Sequence, residues 1–254
     1  MVLSVPADQT DALAKSVLRL VRATEGDGTT RITLPMMYPS GAPIQVQINL
    51  QSDTCFITDC GNAYQEAELM GASARTFNGQ ARDVAKYYGI QFNNHSFFAV
   101  SVPIPKIEGA IAAIGSASLR SIVLTEAKMA EGKEQSARDE LKYHLREVFG
   151  RQSVVEDFEM FGSSSHKWKF AGRVITVKGP ALFDAVTPVA SSVYAANSKF
   201  GDIASLENPP LRISAVADHA NLPADYKNLL QQASSIIPLS SPATVYHTAA
   251  GIAA

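Results

Sequence analysis

The sequence predicts an α+β protein: an N-terminal antiparallel meander with helices, a central helical segment, and a C-terminal mixed sheet with helices. Three observations carry this. Ile44, Val46, Ile48 and Leu50 alternate with Gln45, Gln47 and Asn49, the period of a half-exposed strand. Residues 106–149 lose that alternation and take a helical one. From residue 153 strand-like runs alternate with helical runs, the pattern of helices packed on a mixed sheet.

Composition narrows the classes. The 254 residues are 46% hydrophobic and 18% charged, too apolar for a disordered chain. A net charge of −2 gives no global pull towards nucleic acid or anionic lipid. Two cysteines, Cys55 and Cys60, cannot build a disulfide scaffold. The first residues have no basic segment ahead of an apolar run, and Pro6 interrupts that run, unlike a secretory leader. Residues 107–124 form the best membrane candidate, but Glu108, Arg120 and several Ser and Gly residues interrupt a stretch that needs about 20 mainly apolar residues. A cytoplasmic protein with reduced cysteines and no membrane association is expected.

In chain order, Leu13, Val17, Leu20 and Val21 predict an amphipathic helix over 7–23, ended by Gly26-Asp27-Gly28. Strands follow at 31–38, 44–50 and 55–59, then a helix ending at Gly71 and a second over 76–88. Residues 90–103 read as a hairpin turning at Asn93–Asn94. Residues 107–119, rich in Ala, Gly and Ser, need a close partner: the rest of the chain, or a second copy in a homodimer. Gly132 is expected to split the central helix, and Gly150 to end it. Strands are expected at 154–161, 166–170 and 173–179, then helix 189–206, strand 212–218, helix 223–234 and strand 236–240. The domain boundaries expected are 1–104, 105–150 and 151–254.

Absent motifs exclude several chemistries. The chain has no glycine-rich dinucleotide or Walker-type phosphate loop, no nucleophile elbow and no HExxH. Its five histidines are scattered, and Cys55 and Cys60 lack a second ligand pair, so no metal and no cofactor is expected. In Thr58-Asp59-Cys60-Gly61, Asp59 and Gly61 suit a turn into the following helix; a catalytic carboxylate is the other reading, weakened by the lack of a second acid nearby. Asp218, His219 and Asn221 follow a strand, where open α/β sheets place ligands, and serve equally as helix-entry residues.

A strand ending in TDxG, followed by a helix closing in AELMG, resembles the N-terminal domain of a paired family of uncharacterised bacterial and phage proteins. The run from Phe161 through Gly162, Ser163 and His166 to Trp168 and Phe170 is similar to that family's second domain, which resembles a degenerate restriction-endonuclease-like core. The resemblance implies a mobile-element origin. A nuclease of that core needs an acid on one strand and acid-x-Lys on the next, because two carboxylates hold the divalent metal that activates water. Asp157 supplies the first acid, but the segment ending at Lys178 carries Thr176 where the second belongs. The expected function is therefore a non-catalytic binding or adaptor protein acting on a protein or nucleic-acid partner, with a metal-dependent nuclease using Asp157 and Lys178 as the alternative. For binding, residues 166–179 read as a hairpin turning at Ala171–Gly172, with Trp168 opposite Ile175. That hairpin would gather Lys167, Lys169 and Lys178, next to His166, on one basic face.

Overall fold

The computed structural model describes residues 22–26 and 29–252. Most of the helix expected over 7–23 lies outside these residues, and its last two, Arg22 and Ala23, begin a strand. The chain divides between Met129 and Ala130 into two units.

The first unit is built on a six-stranded antiparallel sheet. Its strands are β1 (Arg22–Gly26), β2 (Thr29–Met37), β3 (Pro43–Gln51), β4 (Thr54–Thr58), β5 (Gln91–Asn93) and β6 (Ser96–Pro103), in the order β1-β2-β3-β4-β6-β5. The alternation in β3 behaves as expected at Ile44, Val46 and Ile48, which are buried. Leu50 is the exception, 66% exposed near the strand's end. Helices α1 (Asn62–Leu69) and α2 (Ala74–Tyr88) follow β4, and Phe77, Ala81, Val84 and Ala85 of α2 enter the core. The β5–β6 turn sits one residue later than expected: Asn94 and His95 carry the positive φ angles (46° and 62°), because Asn93 still pairs with Ser96.

Helix α3 (Ile107–Phe149) is one continuous 43-residue element. The expected break at Gly132 does not occur. One glycine costs a helix about 1 kcal/mol, and good helix formers surround this one. Gly150, at φ 78°, does end the helix. No separate central domain forms, since α3 contributes residues to both cores. In the first unit Ile114, Ala117 and Ile122 join the sheet's own core, so the small-residue stretch finds its close partner within the chain. A Cβ on Gly115 would collide with Leu34 Cδ1 and sit 3.1 Å from Met36 Cε. Gly115→Val should therefore cost about 1–3 kcal/mol through overpacking. Urea unfolding of the full chain measures this, and an unchanged midpoint would show that the contact is soft. By length and composition α3 contains a window able to cross a membrane, and a third of that window is buried.

The second unit holds β7 (Val154–Glu156), β8 (Glu159–Phe161), β9 (Lys167–Lys169), β10 (Gly172–Thr176), β11 (Gly179–Val186), β12 (Leu211–Val216) and β13 (Ser235–Pro238). Five of these form a mixed sheet, β13-β12-β11-β10-β7. Strands β11, β12 and β13 run parallel, and β10 lies antiparallel to both its neighbours. Helices α4 (Ala190–Ala204), α5 (Ala224–Gln231) and α6 (Ala243–Ala249) complete the unit, with Ala137, Leu141 and Leu145 of α3 in its core. Strand β11 and helix α6 are absent from the sequence expectations. The β11 segment opens with Gly-Pro and contains an acid, which hides a central strand whose buried residues form an apolar run.

The hairpin expected over 166–179 does not form. Lys167–Lys169 pairs with Glu159–Phe161, while β10 pairs with β7 and β11. Glu159 faces Lys169 and Glu156 faces Gly172, so β7–β8 and β9–β10 are the two arms of one interrupted hairpin in a single register. Across the interruption Phe170 N–H donates to Phe158 O (2.8 Å) and Asp157 N–H to Ala171 O (3.1 Å). Phe170 and Ala171 are fully buried within an arm and cannot be its turn. The turn falls at Gly162–His166, in the Gly-Ser-Ser-Ser run best suited to one.

Candidate functional site

Asp59 anchors the first unit. Its fully buried carboxylate accepts from the N–H groups of Gly61 (3.1 Å), Ala63 (3.4 Å) and Phe97 (2.8 Å) and from Ser118 Oγ (3.1 Å). Gly61, at φ 76°, takes the left-handed turn expected of it. This one carboxylate ties the end of β4 to the start of α1, to β6 and to α3. Burial raises its pKa, opposed by those hydrogen bonds. Four donors thus engage the carboxylate in the turn, while the buried Tyr38 hydroxyl, which feels its charge, has no hydrogen-bond partner among the described residues.

The second unit gathers charge. Asp157, at φ 49° between β7 and β8, accepts from Lys142 Nζ at 2.6 Å, Lys169 Nζ at 3.1 Å and Arg138 Nη2 at 3.5 Å. The Lys142 hydrogen bond, opposed by desolvation and aided by Lys169, lowers its pKa to about 2. Asp184 on β11 is nearly buried, with a side chain 6% exposed. It accepts from Ala171 N (3.1 Å) and Arg138 Nη1 (3.5 Å) and forms a close ion pair with Lys199 of α4. Lys199 Nζ also donates to Lys169 O (2.8 Å). Two carboxylates thus hold four cations: Arg138, Lys142, Lys169 and Lys199.

Beside this network lies a cleft of roughly 530 Å³. Glu131, Glu134, Gln135 and Arg138 line it from α3, Asp184 from β11, and Ser191, Ser192 and Lys199 from α4. It opens near the C-terminal end of β11, where parallel strands commonly present ligand sites.

The residues singled out from sequence are scattered. Lys167 is ion-paired with Glu159 and Lys169 with Asp157, and Lys178 sits in the β10–β11 turn, its N–H on Thr176 Oγ1. The three lysines therefore do not share one face of one hairpin. His166 packs edge-on against Trp168, 4.2 Å between ring centres, in the serine turn. Asp202 of α4 fastens that turn, accepting from Ser163 Oγ (2.8 Å), Ser164 N (2.8 Å), Ser164 Oγ (2.7 Å) and Trp168 Nε1 (2.6 Å). The Trp168 and serine hydrogen bonds depress the Asp202 pKa. Asp218, His219 and Asn221 form a turn after β12, with Asn221 Nδ2 donating to both Asp218 oxygens at 2.9 Å, and none of them lines the cleft. Asp157 and Lys178 form no acid–lysine pair. Asp157 pairs instead with Lys142 and Lys169, and a separate acid–lysine pair joins Asp184 and Lys199, neither of which any sequence motif marks. The available signal was a single acid inside the apolar run of residues 181–186, since a buried charge requires a partner.

Among the described residues no group of three or more His, Cys, Asp or Glu side chains is arranged to hold a metal ion. Comparison with protein-family models, with curated proteins and with solved structures gives no match in any of the three.

Proposed function

We propose that the second unit is a non-catalytic, cytoplasmic binding module, of mobile-element or phage-related origin, that engages nucleic acid. The observation carrying this is the network in which Arg138, Lys142, Lys169 and Lys199 outnumber Asp157 and Asp184. Within the network itself two positive charges are in excess, with Glu131 and Glu134 on the adjoining cleft wall, and attraction to phosphate on a partly desolvated surface is stronger than in open water. Each phosphate contact releases condensed counterions. Binding of the full chain to single- and double-stranded oligonucleotides should therefore weaken with salt. Lys142→Gln with Lys169→Gln should flatten log K against log salt by about two units on duplex DNA, fewer on single strands. A parent chain that binds neither DNA nor RNA at low salt, yet captures an acidic protein, would move the reading to a protein partner.

One observation favours a second reading, a metal-dependent nuclease. Lys199 reaches the Asp184 carboxylate from α4, supplying from a helix the lysine that the strand lacks, with Glu131 and Glu134 lining the same cleft. Against it, neither strand neighbour of Asp184 offers a second acid: Ala171, whose N–H occupies Asp184 Oδ1, lies on one side and Ser214 on the other. Incubating nucleic acids with magnesium and manganese separates the two readings. Cleavage abolished by Asp184→Asn but retained in Asp157→Ala establishes the nuclease.

A further inference from the structure

The cleft is chemically polarised along α3. At one end Arg138 and Lys199 converge on Asp184. Glu134 lies one helical turn away from Arg138, and Glu131 about 10 Å away at 1.5 Å per residue. Hydrogen-bonding capacity remains at the cationic end. Arg138 has five N–H donors and makes two long contacts of 3.5 Å. Lys199 gives protons to Lys169 O and Asp184, and its ammonium lies 5.3 Å from the centre of the Phe170 ring. About 4.5 and 6 Å along the helix from Arg138, Gln135 and Glu134 present acceptors, an amide oxygen and a carboxylate.

We infer that this cleft binds a single nucleoside monophosphate unit, with its phosphate on Arg138 and Lys199 and its sugar hydroxyls or base amino group on Glu134 and Gln135. The inference rests on the nucleic-acid reading above and assigns that reading a specific site. A volume of roughly 530 Å³ suits one such unit. Free phosphate leaves the acceptor end unused, a nucleoside leaves the cationic end unused, and a longer phosphate chain runs into the carboxylates. A nucleoside monophosphate engages both sets of groups.

The test is calorimetric titration of the full chain with the four ribonucleoside 5′-monophosphates, their nucleosides and inorganic phosphate. At least one monophosphate should bind about tenfold or more tighter than its nucleoside and than phosphate. Ala195→Glu puts a carboxylate into the cleft from an exposed position on α4 and should weaken that binding by about tenfold or more. Glu134→Ala, which removes the acceptor, should lower nucleotide affinity relative to that for inorganic phosphate. Nucleotide affinity unchanged in both variants, with circular dichroism showing them folded, overturns the inference. So does a parent that binds oligonucleotides but no mononucleotide, an outcome that leaves the broader reading standing. A parent that binds neither overturns both.

Discussion

Replacing Asp59 with alanine should lower the unfolding free energy by about 3–5 kcal/mol, because it strands buried donors rather than merely deleting a contact. Three backbone N–H groups and the Ser118 hydroxyl all point at this carboxylate. Asparagine should recover little, since its NH₂ group would face donors already in place. The same site imposes a pH dependence. Burial raises the Asp59 pKa above that of an unfolded aspartate. Between the two values the folded state holds more proton than the unfolded one, so stability falls as pH rises through that window. Chemical denaturation from pH 4 upwards reads this directly. Asp59→Ala should remove that share of the slope, and an identical slope in the variant would assign it to other groups.

Asp184→Ala should cost about 2–4 kcal/mol by leaving Arg138 and Lys199 without their shared counter-charge. Their side chains are only 22% and 15% exposed, and Lys199 lies over the Phe170 ring, so water replaces the carboxylate poorly. A second change, Lys199→Met, removes one of the stranded charges. The double variant should be more stable than Asp184→Ala alone, giving a coupling of about 1–3 kcal/mol in a double-mutant cycle. Additive losses would mean the two groups act independently and that the close pair contributes nothing to stability.

These residues also mark what the sequence could and could not reveal. The Asp59 clasp was legible because its turn chemistry is local: Thr58, Asp59 and Gly61 act within four residues of chain. That Asp59 also reaches Phe97 and Ser118 was not, since no spacing rule links positions so far apart. Strand β3 was legible because one of its faces is buried and the other is not. Strand β11 was illegible for the opposite reason: as the central strand it is buried almost throughout, and periodicity vanishes when both faces are apolar. The same burial hid Asp184. The 166–179 hairpin failed on a competition between two turn candidates. Ala171-Gly172 and Gly162-Ser163-Ser164-Ser165 are both short, small-residue runs, and the difference is that Phe170 and Ala171 fill the core. Gly132 does not break α3 because the long helical context on either side outweighs a single glycine's local cost.

The span of the Asp59 clasp has a consequence for how the protein is made. As the chain leaves the ribosome, β4 and its carboxylate emerge 38 residues before Phe97 and 59 before Ser118. Until then Asp59 has only its local turn amides, and water, to satisfy it. The strands of the first unit are thus synthesised well before the hydroxyl on α3 that completes their buried charge. Residues 1–104 therefore make a poor unit of biogenesis, for they end before that hydroxyl is made. The clasp closes only after Ser118, in the first half of α3, has cleared the exit tunnel.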